Sequence, residues 1–387
     1  MSRRPREGEA PAEPLRSSKT GSAGASPSRI KEHFLQNPST NPGTLLIRAD
    51  ANPVIGTGHV MRCLALAQAW QDSGGTVAFA CGDLPESVQQ PLAAEHCAVH
   101  RIDAASGSSR DLEETRRLAE SISPRWLVLD GYKFGPDFQL TLRDVKWRLM
   151  VLDDDGRHEA YHANVLLNQN PGAAAVLYGR HMHGSRMLLG SQYAMLRREF
   201  LQTPRKAPGG QSVSQILLTL GGADRGNLTE RFLTVARSCV PGDCRIHVLI
   251  GPANPHVFRL REVAAKMNRV TLHVAPSDLP QIMASCDLAI TAAGSSVYEL
   301  GYLGVPMLLV VTADNQRPIA AALDHLRAAV RIDELGTNKS ADLPSALESL
   351  VSDPVRRAEC AAKFQQLVDG QGAARVVAAL SESSGVE

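Results

Sequence analysis

The sequence predicts an α/β protein built from two Rossmann-like, doubly wound parallel-sheet domains with a cleft between them. Three observations carry this. Short apolar runs alternate with longer helical stretches from residue 44 onward, which is the pattern of parallel strands joined by crossover helices. The alternation stops at the polar stretch Gln202-Thr203-Pro204-Arg205-Lys206-Ala207-Pro208-Gly209-Gly210 and then starts again. Both halves open alike, with an apolar strand, a glycine-containing loop and a helix start.

In the first half, taken as residues 43 to 203, strands are expected at Leu45 to Arg48, Val77 to Cys81, Trp126 to Asp130, Leu149 to Leu152 and Val165 to Leu167. Helices include His59 to Asp72 and Asp111 to Ser121. The second half, residues 211 to 387, gives strands at Ile216 to Leu220, Ile246 to Ile250, Val270 to Val274, Leu288 to Thr291 and Met307 to Val311. Ligands of such sheets sit beyond the carboxyl ends of the strands, so the site is expected in the cleft.

The chain of 387 residues is long enough for two domains, and 43% hydrophobic with 21% charged residues is an ordinary globular composition. A net charge of +1 implies no nucleic-acid field. The seven cysteines are scattered and include no CxxC pair, which fits a reduced, cytoplasmic setting better than a disulfide framework or a zinc site. Residues 1 to 42 are rich in Pro, Ser, Gly, Arg and Glu without apolar periodicity and are expected to be a disordered tail; an early start codon would also explain them. No apolar stretch suits a signal peptide or a membrane span, so neither export nor a membrane partner is expected. Monomer is the default oligomeric expectation.

The segment Leu45-Leu46-Ile47-Arg48-Ala49-Asp50, followed by Gly56-Thr57-Gly58-His59-Val60-Met61, places Arg48 and Asp50 at a strand end and a histidine at a helix start. An imidazole there can serve as a general base beside a bound anion, or can simply bond a loop carbonyl. The glycines do not form a dinucleotide fingerprint: Met61 stands where a third small residue is needed, and no acidic residue follows at the right distance. A GxxxxGK[ST] loop is also missing.

In the second half, Gly294-Ser295-Ser296 precedes a helix that carries Glu299 in its first turn. Backbone N–H groups, hydroxyls and the helix dipole there suit a diphosphate, and Glu299 suits ribose hydroxyls; a plain capping box is the structural alternative. Gly221-Gly222-Ala223-Asp224 with Asn227 repeats the arrangement, and Asn315 follows a third strand, where it can orient a sugar or a water or cap a helix. Asp153-Asp154-Asp155 has the DxD spacing of metal-dependent glycosyl transfer, but no supporting carboxylate cluster is apparent, and His181-Met182-His183 lies beside Arg180 and Arg186. No metal and no cofactor is therefore expected.

The run IRADANPVIGTGHVMRCLALA, Asp130-Gly131-Tyr132, LDDDGRH at 152 to 158, LLNQN at 166 to 170 and LLGSQYAMLRREF at 188 to 200 resemble the UDP-2,4-diacetamido-2,4,6-trideoxy-β-L-altropyranose hydrolases of pseudaminic acid biosynthesis. The stretch DLPQIMASCDLAITAAGSSVYELGYLGVPMLLV resembles more broadly the UDP-binding half of GT-B glycosyltransferases, such as the peptidoglycan N-acetylglucosaminyl transferase. The resemblance spans roughly residues 44 to 375 and implies a GT-B-like fold. It implies His59 as the base, Tyr132 and Asn315 as active-site residues and Glu299 as a nucleotide contact, with Gly131 standing where a larger residue is expected. It further implies metal-independent hydrolysis of a UDP-sugar with inversion at C1. On this reading Arg48, Asp50 and Gly58 join Gly222, Gly294, Ser295, Ser296 and Glu299 as substrate-binding residues, and Asp50 or a backbone carbonyl fixes the His59 tautomer. The alternatives are a GT-B glycosyltransferase, in which His59 would deprotonate an acceptor hydroxyl, and a nucleotide-sugar binding protein without turnover.

Overall fold

A computed structural model describes residues 41–52, 55–179, 185–207, 212–221, 224, 226–251, 254–333 and 343–382. Two parallel sheets account for its strands. The first contains β1 (Thr44–Ala49), β2 (Thr76–Cys81), β3 (Ala98–Arg101), β4 (Trp126–Asp130), β5 (Arg148–Leu152), β6 (Val165–Asn168) and β7 (Arg186–Leu189), in the order β3-β2-β1-β4-β5-β6-β7. The second contains β8 (Gln215–Thr219), β9 (Arg245–Ile250), β10 (Val270–Val274), β11 (Leu288–Ala292), β12 (Met307–Val311) and β13 (Val330–Asp333), in the order β10-β9-β8-β11-β12-β13. Each sheet thus winds outward in both directions from its first strand, and the strand order reverses between β1 and β4 and between β8 and β11. Loops at such a reversal diverge to opposite faces and leave a crevice at the carboxyl edge.

The central strands are apolar on both faces because helices cover both, as parallel sheets require. Along β1, Leu45, Ile47 and Ala49 pack into one core and Leu46 into the core on the opposite face. Along β8, Leu217 faces one core while Ile216 and Leu218 face the other. This two-residue alternation explains why the continuous apolar runs were readable as strands. β3, β7 and β13 were not readable in the same way. They lie at sheet edges or near them, and β3 and β7 are largely exposed, so neither carries a long apolar run.

The last helix, Gly372–Glu382, departs from the sequence-based division at residues 203 and 211. Its Ala373, Val376, Val377, Ala379 and Leu380 are buried in the core of the first domain, against the helix Gly58–Asp72. Burying each of the two valines and the leucine contributes about 1.5 to 3 kcal/mol, ample to hold the helix there. The contact is close: a side chain at Gly372 would lie 2.1 Å from the Ala194 carbonyl oxygen. Among the described residues, no helix is long and apolar enough to cross a membrane.

Arg48 illustrates how the first strand is anchored. Its guanidinium is fully buried and bonds Asp111 through Nε at 2.8 Å and Nη2 at 3.0 Å, and Asp50 through Nη1 at 2.6 Å. Asp111 in turn accepts the Gly107 N–H and sits in the first turn of the helix Ser109–Ile122. Replacing Arg48 with alanine leaves two buried carboxylates uncompensated, so Arg48→Ala is expected to lose about 3 to 5 kcal/mol of stability, measurable by denaturant titration.

Candidate active site

The carboxyl edges of the two sheets place most of the sequence-nominated residues in one cleft. His59 lies in the first turn of the helix that follows β1, and it is 7% exposed. Its Nδ1 is 2.6 Å from Oδ1 of Asp130, the last residue of β4. An ionised carboxylate only accepts, so Nδ1 carries the proton and Nε2 keeps its lone pair while the ring is neutral. Arg62 Nη2 also lies 3.3 Å from Nδ1, but the shorter carboxylate contact decides the tautomer. The carboxylate that fixes the imidazole is therefore Asp130, while Asp50 accepts from Arg48 and the Gly82 N–H.

Arg62 follows His59 by one helical turn and reaches the same point. Its Nε and Nη2 form a fork on Asp130 at 2.7 and 2.6 Å, and its Nη1 bonds Asp154 at 2.7 Å. Burial disfavours both carboxylates in their charged form, yet Arg62 overcomes this and holds each below the usual carboxylate range, with His59 assisting.

Tyr132 packs edge-on against the His59 ring, with centroids 4.9 Å apart, and Arg157 lies over its face at 4.1 Å. Its hydroxyl donates to Asp154 Oδ2 at 3.2 Å and accepts from Asn315 Nδ2 of the second domain at 3.1 Å. Burial, reinforced by the charge of Asp154, pushes this phenol up to about 12, so it remains protonated. His59, Tyr132 and Asn315 are thus brought together across the cleft.

The second domain supplies an open cradle opposite them. At Gly221, with φ +90, and at Gly294, a side chain would meet no described atom within 4 Å. Ser295 stands at the start of the helix Ser296–Leu303 and makes no side-chain capping bond, so its exposed hydroxyl is not occupied in the way a capping box requires. A side chain at Gly58 would approach Ser295 Oγ to 3.4 Å, so the two glycine loops meet here. Glu299 is paired with Arg197 at 2.9 Å; burial raises its carboxyl above the ordinary value despite that partner. Gly222 lies outside the described residues, as do His181, Met182 and His183.

Other nominated residues have structural duties. Arg48 has no exposed surface to offer a substrate, which corrects the expectation of contact; it holds Asp50 instead. Asp50 Oδ1 also accepts the Gly82 N–H at 2.7 Å, while the residue lines a separate pocket with Gly82, Asp83, Arg101 and Ser106. Asp224 caps the helix Leu228–Cys239 through the Leu228 and Thr229 N–H groups. The three successive aspartates part company: Asp153 accepts from the Tyr161 and Tyr178 hydroxyls, Asp154 joins Arg62, and Asp155 pairs with Arg157.

Sequence reasoning gave no role to Arg62, Asp130 and Asp154 as a unit. Two signals were available: an arginine one turn after the histidine, and buried apolar strands that end in aspartate.

Two six-stranded Rossmann-type windings, one extended by β7, with a cleft between their carboxyl edges define the GT-B fold. The crystal structure of MurG from Acinetobacter baumannii aligns with a TM-score of 0.58 at 17% identity, over 88% of this chain and 99% of that one. In sequence, the chain is 26% identical over 284 residues to UDP-2,4-diacetamido-2,4,6-trideoxy-β-L-altropyranose hydrolase of Campylobacter jejuni, a match that covers 72% of this chain and 95% of that protein. It is also 24% identical, over 49% of its own length and 34% of the relative's, to a Helicobacter pylori protein named as a pseudaminic acid cytidylyltransferase and the same hydrolase. No protein-family model matches the chain.

The depressed native value of Asp130 sets a pH dependence. Its stabilisation is fully present above the ordinary carboxylate value near 4 and is lost as pH falls through the lower native value. The difference in melting temperature between the wild type and Asp130→Asn is therefore expected to narrow as the pH is taken below about 4.

Proposed function

We propose that the protein hydrolyses a UDP-linked 2,4-diacetamido-trideoxy sugar to UDP and the free sugar, as a step of nonulosonate (pseudaminic acid) formation. The observation that carries this reading is the His59–Asp130 pair at the reversal point of the first sheet, facing an open glycine and serine cradle on the second. The names of the Campylobacter and Helicobacter relatives supply the substrate class.

UDP occupies the second domain, where Gly222, Gly294, Ser295, Ser296 and the N–H groups of the helix Ser296–Leu303 receive the diphosphate and Glu299 faces the ribose. Neutral His59 accepts a proton from water at Nε2, and the resulting imidazolium is stabilised by Asp130. The water oxygen bonds to C1 as the C1–O bond to the β-phosphate breaks, with inversion, and the electron pair leaves with UDP. The cradle stabilises the charge gained there. Tyr132 and Asn315 hold the sugar between the domains. Asp154 acts through Arg62 and Tyr132, so no metal step is involved.

Two measurements test the reading. His59→Asn is expected to retain UDP binding and to lose about 10²- to 10⁴-fold in UDP release from the nucleotide sugar, the usual worth of a general base; an unimpaired variant would refute the assignment. A panel of nucleotide sugars incubated without acceptor is expected to yield UDP at a rate unaffected by EDTA. Release that requires an added acceptor identifies a glycosyltransferase instead, and binding without release identifies a nucleotide-sugar binding protein.

A further inference from the structure

Asn170, just beyond β6 at the carboxyl edge of the first sheet, is 5% exposed and stands outside the proposed proton transfer. Its Nδ2 donates to the Asp154 carbonyl at 3.0 Å and to the Asp154 carboxylate at 3.3 Å. Its Oδ1 accepts the hydroxyl of Tyr298 at 2.7 Å, and Tyr298 belongs to the second domain, next to Glu299 in the helix Ser296–Leu303. Tyr298 is 2% exposed, and burial beside the Asp154 charge keeps its phenol protonated. That hydroxyl therefore donates, and by donating it dictates which end of the Asn170 amide is oxygen. The amide N–H₂ is then aimed at Asp154.

We propose that Tyr298 and Asn170 are positioning residues that connect the nucleotide-cradling helix of the second domain to the imidazole of the first, through Asp154, Arg62 and Asp130. The proposal deepens the function assigned above and rests on it for the identity of the ligand. Each link is a hydrogen bond or an ion pair at 3.3 Å or less. The chain has a direction of effect. Asp154 shares Arg62 with Asp130, so a donor lost from Asp154 draws Arg62 toward it and away from Asp130. The carboxylate beside His59 is then less neutralised, and the imidazolium is favoured. The charged and titratable groups that line the pocket with the ring are Asp130 and Tyr132 from the β4 edge, Asp153, Asp154, Arg157 and His158 from the β5 edge, and Arg62 from its own helix. Tyr298 feels the charges of Asp154 and Arg62, and its hydroxyl bonds Asn170, so its hydrogen-bonded route to this group runs through Asn170.

Tyr298→Phe removes a single oxygen from this chain. The variant is expected to bind UDP within about twofold of the wild type and to lose roughly 10- to 100-fold in turnover, by analogy with the outer-shell partners that orient metal-ligating side chains. The acid limb of its pH–rate profile is expected to move to higher pH. Unchanged turnover with an unmoved limb overturns the proposal, and so does a fall in UDP affinity and turnover together with an unmoved limb, which marks a packing role.

A second measurement is independent of turnover. In ¹⁵N-histidine NMR at fixed pH, with the His59 signal assigned by its loss in His59→Asn, adding UDP is expected to move the His59 ring resonances further in the wild type than in Tyr298→Phe or Asn170→Ala. Equal shifts in all three proteins overturn the coupling. If the wild type binds UDP yet hydrolyses no sugar nucleotide, the assigned function fails while the NMR comparison still decides this proposal.

Discussion

The interaction on which the site depends is the compensation of one carboxylate. Asp130 ends a strand buried on both faces and is itself fully buried, an arrangement that costs several kcal/mol unless the charge is matched. Arg62 matches it with a two-point fork, and His59 and the Cys63 thiol add further contacts. Because the strand is rigid and the arginine is held at both ends, the imidazole inherits a fixed tautomer and a fixed plane. The general-base role proposed for His59 thus starts from a folding requirement: the same charge balance that lets β4 end in aspartate also prepares the ring.

The order of the strands accounts for the placement of everything else. His59 follows β1, Tyr132 follows β4, Asp154 follows β5 and Asn170 follows β6, while the facing loops follow β8, β11 and β12. Tyr132, Asp154, Asn170 and Asn315 lie within four positions of a strand's carboxyl end and His59 ten beyond one, in the loop and helix start that follow it, so one topological rule brings together side chains more than 250 residues apart in the chain, such as His59 and Asn315.

This rule is also why so much was legible without coordinates. The buried strands announce themselves as apolar runs, and a histidine or serine directly after a glycine loop is conspicuous. The edge strand β3 lacks that signal because solvent replaces a neighbour and three of its four residues are exposed, whereas the edge strand β10 keeps it in the run Val270 to Val274. Arg48 was misread for a related reason. A charged residue near a strand's end resembles a ligand contact, and only packing reveals that Asp111, 63 positions away, takes two of its donors while Asp50 takes a third. Asp130 and Arg62 were hidden for the opposite reason, since each is unremarkable until the two meet. Asp153, Asp154 and Asp155 look alike in sequence, yet three different partners give them three different duties.

The return of the helix Gly372–Glu382 to the first domain means that the chain crosses between the sheets twice. The two passages lie against each other, with Gly372 on the backbone of Ala194 and Arg375 Nη1 donating to the Gln192 carbonyl. A body joined to another at two adjacent points can flex about the line through them but resists swivelling around either one. Paired crossings of this kind oppose the sideways slippage that would carry Asn315 out of register with Tyr132.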